Sequence, residues 1–234
     1  MKIENAVVLI TGANRGIGLA FARALLARGA RKVYAAARNP STLTLPGVQA
    51  LQLDVTKPEE IAAAVRQAAD ATIVINNAGI AQPGGFLASD SEELARQIFE
   101  TNFFGMLNMS KAFAPVLKAN GGGALINVLS VASWLNGGEL AAYSASKSAA
   151  WSLTNALRHE LAAQKTQVLG LHMAYVDTDL TRGFDVQKSS AEEIVERALD
   201  GLEAGVDEVL ADALTQQIRQ GLAVPRPVYL PQAN

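Results

Sequence analysis

A tyrosine and a lysine stand four residues apart in the segment AAYSASKSAAW, at Tyr143 and Lys147. Residues at i and i+4 lie on the same face of a helix, so the two side chains would be neighbours. A free phenol titrates near 10, which is too high for ready proton loss at neutral pH. A positive charge about 4 Å away would lower that pKa by roughly three units. The pair therefore predicts a phenol that works as an acid or base; an ordinary helix-surface pair is the alternative.

A glycine-rich segment, VVLITGANRGIG, follows the first predicted strand. Gly12, Gly16 and Gly18 would let the backbone turn tightly and approach a ligand closely, because they have no side chain. The helix that begins there would offer free N–H groups to a pyrophosphate. The spacing is GxxxGxG rather than the commoner GxGxxG. The strand before the loop and the helix after it favour a dinucleotide site over simple turn glycines.

Composition limits the class of protein. The chain has 234 residues, half of them hydrophobic, and a net charge of −2, which suits one catalytic domain over residues 1–234 and predicts no nucleic-acid partner. It has no cysteine, so disulfides and thiolate metal sites are excluded. His159 and His172 lack metal-ligand spacing, so we expect core or surface roles for them and no metal. The short apolar run at the N-terminus predicts neither a signal peptide nor a membrane span, and we expect a cytoplasmic protein.

Short apolar runs alternate with helical patterns along the chain. Strands are predicted at 6–10, 32–36, 48–53, 72–75, 124–129, 167–172 and 208–210. Helices are predicted at 16–28, from about 58, and at 91–119, 141–163, 191–203 and 211–221. This alternation predicts an α/β fold with a parallel sheet covered by helices on both faces. The polar stretch 180–191 predicts a mobile substrate lid, and the proline-containing stretch 224–234 a flexible tail.

Six short segments together resemble the classical short-chain dehydrogenase/reductase family over nearly the whole chain. They are TGANRGIG at 11–18, LDV at 53–55, NNAG at 76–79, TNFFG at 101–105, NVLSVAS at 127–133 and YSASK at 143–147. Each is weak alone, but their order is specific. The resemblance implies a single Rossmann-type, doubly wound sheet of about seven strands, a nicotinamide cofactor, and interconversion of an alcohol with a carbonyl compound.

The resemblance also implies catalytic roles. Tyr143 matches the family's acid/base, Lys147 its partner lysine, and Ser130 the serine that hydrogen-bonds the substrate oxygen. From the residues alone, Ser133 competes with Ser130 for that role. Asn102 matches an asparagine that holds a water chain behind the lysine, and a helix residue at a kink is the alternative.

The predicted cofactor-binding residues come from the glycine loop and from the matching segments. They are Gly12, Asn14, Arg15, Gly16, Ile17, Gly18, Arg38, Asp54, Val55, Asn77, Ala78, Gly79, Tyr143, Lys147, Val176 and Thr178. Asp54 could accept a hydrogen bond from the adenine amino group, or it could simply form a turn. Met173-Ala174 departs from the Pro-Gly that family members commonly carry before the Val-x-Thr contacts.

The end of the second predicted strand indicates which nicotinamide cofactor binds. NAD-selective dinucleotide folds usually carry an acid there for the ribose 2′-hydroxyl. This chain has Ala37, followed by Arg38, and Arg15 lies in the glycine loop. Two guanidinium groups suit a 2′-phosphate, although either could be a solvated surface charge. The sequence therefore predicts NADP(H).

Apolar residues beside the matching segments suggest the substrate. They are Trp134, Leu135, Leu140, Tyr175 and Phe184. If they line the site, the pocket is apolar, and the NADP(H)-dependent carbonyl reductase or secondary-alcohol dehydrogenase that the resemblance implies would act on apolar ketones or alcohols. A non-catalytic cofactor-sensing regulator and an epimerase/dehydratase-type relative are the alternatives. The resemblance further implies a homodimer or homotetramer formed through the two long helices.

Overall fold

The computed structural model describes residues 1–231, and its centre is a seven-stranded parallel sheet. The strands are β1 Val7–Thr11, β2 Lys32–Ala37, β3 Val48–Gln52, β4 Ile73–Asn76, β5 Ala124–Val128, β6 Gln167–His172 and β7 Glu208–Leu210. Their order in the sheet is β3-β2-β1-β4-β5-β6-β7. The winding direction changes between β1 and β4, where such sheets form a crevice at the carboxyl ends of their strands. The predicted fold class is confirmed.

Seven helices cover the sheet. They are α1 Gly16–Ala27, α2 Pro58–Gln67, α3 Ser91–Phe99, α4 Met106–Ala119, α5 Ala141–Ala162, α6 Ala191–Ala204 and α7 Ala213–Gly221 in the described part of the chain. Phe21 of α1 and Ile194 of α6 pack on one face, whereas Phe113 of α4 and Leu157 of α5 pack on the other. Strand residues alternate between these two buried layers, as expected of a doubly covered parallel sheet.

Two predicted helices differ from the observed ones. The predicted helix at 91–119 is interrupted by a π-helical turn, Glu100–Gly105, between α3 and α4. The last helix begins at Ala213 rather than Ala211, because the Asp212 side chain accepts the N–H of Thr215 at 2.8 Å and caps it. The other predicted ends fall within about one residue of those observed, as is usual for helix and strand ends.

The predicted lid and tail have local structure of their own. Within 180–191, Ser189 pairs with the chain after β6: its N–H donates to Tyr175 O and its carbonyl accepts from Asp177 N, both at 2.9 Å. The mobility of the lid stays a prediction. The described part of the tail forms turns, and its residues 232–234 lie outside the described residues. None of the helices within residues 1–231 combines the length and apolar character needed to span a bilayer.

Candidate active site

A cleft of about 740 Å³ opens along the carboxyl edge of the sheet, where the winding changes direction. It brings together nearly all predicted cofactor residues and three of the four predicted catalytic ones. Those that line it are Gly12, Asn14, Arg15, Gly16, Ile17, Arg38, Asp54, Val55, Asn77, Ala78, Gly79, Ser130, Tyr143, Lys147, Val176 and Thr178. Gly18 and Asn102 do not line the cleft.

The glycine loop forms a cradle that side chains would fill. Gly12 has a φ of +67°, and Gly16 has a φ of +52°, a region that favours glycine. A Cβ at Gly18 would lie 2.2 Å from the carbonyl oxygen of Gly12, so α1 could not pack this closely against the loop with any other residue. Gly16 and Ile17, at the start of α1, line the cleft, and the first N–H groups of a helix have no partner within it. This arrangement fits the pyrophosphate of a dinucleotide.

Thr11 joins the glycine loop to the loop after β4, a role that the sequence reasoning missed. Its hydroxyl accepts the N–H groups of Asn77 and Ala78, both at 3.0 Å. The Asn77 side chain returns hydrogen bonds to Thr11 O at 2.9 Å and Gly12 O at 3.1 Å. Its position directly before the first glycine of the motif was the signal that the sequence offered. The structure adds that Thr11 is buried.

The far end of the cleft holds the residues predicted to bind the adenosine part of the cofactor. Ala37 and Arg38, at the end of β2, face Asp54 after β3. Asp54 Oδ1 accepts from the N–H of Thr56 at 3.0 Å and from its hydroxyl at 2.7 Å, so Asp54 forms a turn. Burial works to raise the pKa of Asp54, but these hydrogen bonds outweigh it and hold the pKa below its usual value. Asp54 still lines the cleft, so the turn does not exclude a ligand contact.

Tyr143 and Lys147 project into the opposite end of the cleft from the first turns of α5. Lys147 Nζ donates to the Val128 carbonyl at 2.8 Å and lies 5.7 Å from the centre of the Tyr143 ring. Burial lowers the pKa of Lys147 to about 8. Burial also raises the pKa of Tyr143, and its hydrogen bond to Ser130 only partly opposes that effect. The expected lowering of the phenol pKa by Lys147 is therefore wrong for this state, because desolvation dominates.

Ser130, and not Ser133, faces the cleft. The Ser130 hydroxyl accepts the N–H of Ala132 at 3.1 Å, which leaves its own hydrogen free to donate. Ser133 is buried, does not line the cleft, and contributes its N–H to the Ser130 carbonyl at 3.0 Å. The position of its side chain therefore favours Ser130 over Ser133 for the predicted role.

Asn102 lies in the π-helical turn and is 1% exposed. Its side-chain oxygen accepts the N–H of Ile80, and its amide donates to Ile80 O, both at 2.9 Å. The amide also donates to the Ser146 hydroxyl at 3.0 Å. The side chain thus ties the loop after β4 to α5, beside Lys147. This position at an irregular helix turn agrees with the alternative of a residue at a kink.

The five apolar residues predicted for the substrate pocket are absent from the lining of the cleft. Trp134 instead packs on Trp151 and His172, with ring centres 6.1 and 4.2 Å away. Tyr175 and Phe184 pack on each other at 5.6 Å. Proximity in sequence to Ser130 and Thr178 therefore did not place these side chains in the cleft. Neutral residues occupy this end instead: Ile80, Ala81, Gln82, Thr101, Met173, Ala174, Leu180 and Thr181.

The switch-point cleft, the glycine cradle and the Ser–Tyr–Lys group define a dinucleotide-binding oxidoreductase of the α/β class. Comparison with known proteins agrees. The chain matches the short chain dehydrogenase family over residues 6–189, and it belongs to that family.

Three similar proteins illustrate the relationship. The chain is 36% identical to a galactitol 2-dehydrogenase (L-tagatose-forming) of Cereibacter sphaeroides, over 77% of this chain and 75% of the relative. It is 36% identical to a D-erythrulose reductase of Gallus gallus, over 88% and 85%. A crystal structure of a short chain dehydrogenase from Burkholderia cenocepacia in complex with NADP superposes with a TM-score of 0.92 at 42% identity, covering 97% of this chain and 96% of that one.

Proposed function

We propose that this oxidoreductase is an NADP(H)-dependent carbonyl reductase or secondary-alcohol dehydrogenase. The observation that carries the proposal is the meeting of Ser130, Tyr143 and Lys147 in the same cleft as the glycine cradle. A cofactor seated on that cradle would extend along the cleft toward Tyr143. The cofactor-sensing regulator has no need of a phenol, a hydroxyl and a buried ammonium at the end of the cleft, so their presence favours catalysis.

When bound, the reduced nicotinamide supplies a hydride to the carbonyl carbon. Tyr143 donates a proton to the carbonyl oxygen, and Ser130 donates a hydrogen bond to the same oxygen, which stabilises its developing charge. Lys147, held by Val128 O, places a proton donor behind the phenol. Asn102 holds the backbone of Ile80 and the first turns of α5, and so helps to fix the position of Lys147 on that helix. In alcohol oxidation, the same groups act in the reverse direction.

Preference for NADP(H) over NAD(H) rests on charge at the end of β2. Ala37 leaves the usual position of an NAD-selecting acid empty, and Arg38 beside it lines the cleft. A guanidinium suits a phosphate, to which it can donate two hydrogen bonds. The NADP bound by the Burkholderia cenocepacia relative supports the same choice.

We confine the proposed substrate to uncharged ketones. The charged residues that line the described cleft are Arg15, Arg38, Asp54, Lys147 and Asp179. Arg15 and Asp179 pair with each other. Arg38 and Asp54 lie at the end of the cleft that is expected to hold the adenosine part of the cofactor. A preference for apolar ketones is not supported, because the five apolar residues from which it was predicted do not line the cleft. Two relatives are named for sugar alcohols or keto sugars, so hydroxylated ketones belong in the test.

The test is NADPH oxidation with acetophenone, D-erythrulose and L-tagatose, with pyruvate as the charged comparison. Turnover of a neutral ketone that Tyr143→Phe abolishes, with NADPH binding retained, is the expected result. Activity on pyruvate alone would contradict the substrate class. NADPH binding without turnover of any carbonyl or alcohol would favour the regulator.

We also propose that residues 180–191 cover the substrate and that the protein is a homodimer or homotetramer. Phe104, on the π-helical turn, is 43% exposed, which leaves an apolar side chain for a partner beside the long helices. Light scattering of the wild type and of Phe104→Glu tests the assembly, and a monomeric wild type would contradict it.

A further inference from the structure

Next to Ser130, outside the lining of the cleft, lies a cluster of half-buried charged and aromatic side chains around one buried histidine, which the proposed mechanism does not use. Its members are Trp134, Trp151, Arg158, His172, Glu208 and Arg219. His172 is the last residue of β6 and is completely buried. Burial of a titratable ring among charges is costly unless its two nitrogens have partners. The partners of this imidazole therefore indicate what it does.

The first partner is the peptide of Ser130. His172 Nδ1 lies 3.2 Å from the Ser130 carbonyl oxygen. A carbonyl oxygen only accepts, so Nδ1 must carry the hydrogen and donate it. The same oxygen accepts the N–H of Ser133 at 3.0 Å, which gives both of its lone pairs a donor. The imidazole therefore holds the one backbone carbonyl of the residue whose hydroxyl faces the substrate.

Backbone hydrogen bonds hold the chain on both sides of that carbonyl. Leu129 N donates to Leu171 O at 2.8 Å, and Val131 N donates to Met173 O at 2.9 Å. Ser130 lies between these two links, and the Val131 N–H belongs to the same planar peptide as the Ser130 carbonyl. His172, the last residue of β6, adds a side-chain hydrogen bond to this peptide and so further restricts its orientation.

The second partner is a carboxylate on β7. His172 Nε2 lies 3.6 Å from Glu208 Oε1, at ion-pair distance, and the same oxygen accepts the indole N–H of Trp151 at 3.0 Å. The neighbouring His172 ring is the chief cause that lowers the pKa of Glu208 to about 2. Nδ1 therefore has a hydrogen-bond acceptor, whereas Nε2 lies beside the carboxylate but beyond hydrogen-bond distance.

The other elements packed against the imidazole contribute a ring and two cations. Trp134 stacks on it with ring centres 4.2 Å apart and planes at 19°. Arg158 of α5 and Arg219 of α7 lie 3.9 and 3.7 Å from the Glu208 carboxylate. Glu208 is the carboxylate that these cations share with the imidazole. The charges are arranged around Glu208, which keeps that acid ionised and facing Nε2.

We propose that His172 is a positioning residue that aims Ser130 at the substrate oxygen, and that Glu208, beside the other ring nitrogen, keeps the imidazole oriented for this purpose. The inference rests on the proposed function, because Ser130 matters only if it polarises a carbonyl. A hydrogen-bond donor stabilises developing charge only when it is fixed in direction before the reaction. A histidine that the sequence indicated only as core or surface thereby gains a role in catalysis.

A pair of substitutions separates positioning from packing. His172→Phe keeps a flat ring against Trp134 but removes the donor. His172→Asn loses the ring but keeps an amide nitrogen close to the position of Nδ1. We expect His172→Phe to lower kcat at least about tenfold, because small misplacements of a reacting group are costly, with NADPH affinity unchanged. His172→Asn should lower kcat clearly less than His172→Phe does. The reverse order, or equal losses, would show a packing role and overturn the proposal.

A double substitution tests whether the effect passes through Ser130. His172→Phe should have little further effect on kcat in a Ser130→Ala background, because the group that it positions is gone. An undiminished loss in that background would mean that His172 acts elsewhere. Thermal unfolding of each variant shows whether folding has been retained, since Ser133 still donates to the Ser130 carbonyl.

Nitrogen NMR of the imidazoles provides a readout that needs no turnover. The chain has two histidines, so the signals missing in His172→Phe identify those of His172. We expect its Nδ1 to carry a hydrogen, because the Ser130 carbonyl can only accept. An unprotonated Nδ1 would overturn the proposal, since Ser130 O could not accept from it. If the wild type turns over no substrate, the proposed function fails, whereas this NMR result still decides the hydrogen bond.

Discussion

Arg15 of the glycine loop and Asp179 of the segment after β6 form an ion pair, with Nη1 and Oδ2 2.5 Å apart. Both side chains are largely exposed, and Arg182 pairs with the same carboxylate. The hydrogen bond from Arg15 is the chief cause that lowers the pKa of Asp179. The pair connects the loop expected to hold the cofactor phosphates with the start of the expected lid. A guanidinium predicted to bind the 2′-phosphate is thus already partnered by an acid.

Asp179→Asn should strengthen NADPH binding by a few-fold at most, because it frees Arg15 and removes a negative charge near the phosphate, and exposed pairs are weak. NADH, which lacks the 2′-phosphate, should gain less. The measurement is the dissociation constant of each cofactor at fixed ionic strength. Asp185→Asn, an exposed acid in the same segment, is the matched control. Equal gains for both cofactors would mean that Arg15 does not distinguish them.

Arg38→Leu should weaken NADPH by about one to two orders of magnitude, since a charge-assisted hydrogen bond contributes roughly 1.5–3 kcal/mol. NADH should change little. Ala37→Asp with Arg38→Leu should invert the preference, because the new acid repels the phosphate and accepts from a free 2′-hydroxyl. Arg15→Ser added to both is the stricter variant. The ratio of kcat/KM for the two cofactors is the readout, and an unchanged ratio in the triple variant would refute both arginines as ligands.

Gly18→Ala should abolish cofactor binding and lower the melting temperature. Its Cβ would lie 2.2 Å from Gly12 O, which is backbone and cannot rotate away. Gly183→Ala is the control, because a Cβ there meets no atom within 4 Å and its backbone needs no left-handed φ. Calorimetry and NADPH titration measure the two effects. Normal binding by Gly18→Ala would show that the cradle can widen.

The apoprotein should become more stable as the pH rises from 8 to 9.5. Burial lowers the pKa of Lys147 from its usual 10.5 to about 8, so the unfolded chain binds more protons than the folded one in this window. Stability rises with pH wherever that holds, here by about 2 kcal/mol. Above pH 10 the raised pKa of Tyr143 acts in the opposite direction. Urea unfolding at several pH values, with Lys147→Met as the control, measures the slope; an equal slope in both proteins would contradict the assignment.

The sheet was the most predictable part of the molecule. Strands β6 and β7 occupy the predicted residues, because each contains a short apolar run, 168–171 and 209–210, that directly follows a polar residue. The π-helical turn was not predictable, since the apolar stripe continues through it and nothing in residues 100–105 ends a helix. Asn102 was singled out only because it lies in the segment TNFFG, and its place at a helix kink was given only as the alternative.

In the candidate site, too, features set by local sequence could be predicted, whereas features set by contacts between distant segments could not. The backbone cradle follows from glycine spacing, which is local, so the residues that form it could be predicted; that they bind the cofactor stays a prediction. Trp134 was placed wrongly with respect to the cleft because its partner, His172, comes from a strand 38 residues later. The direction of the Tyr143 pKa also depends on burial, which spacing along a helix does not report. Contacts between distant segments are therefore the part that the sequence alone left open.

The π-helical turn at Glu100–Gly105 also fixes the length of this stretch of chain. A π-helical turn contains one residue more than an α-helical turn. Deletion of one residue there would restore a regular helix and rotate everything on one side of it by about 100° relative to the other. Asn102 would then lose either Ile80 or Ser146, which lie on different elements. This helix can therefore accept changes of residue type more readily than an insertion or a deletion.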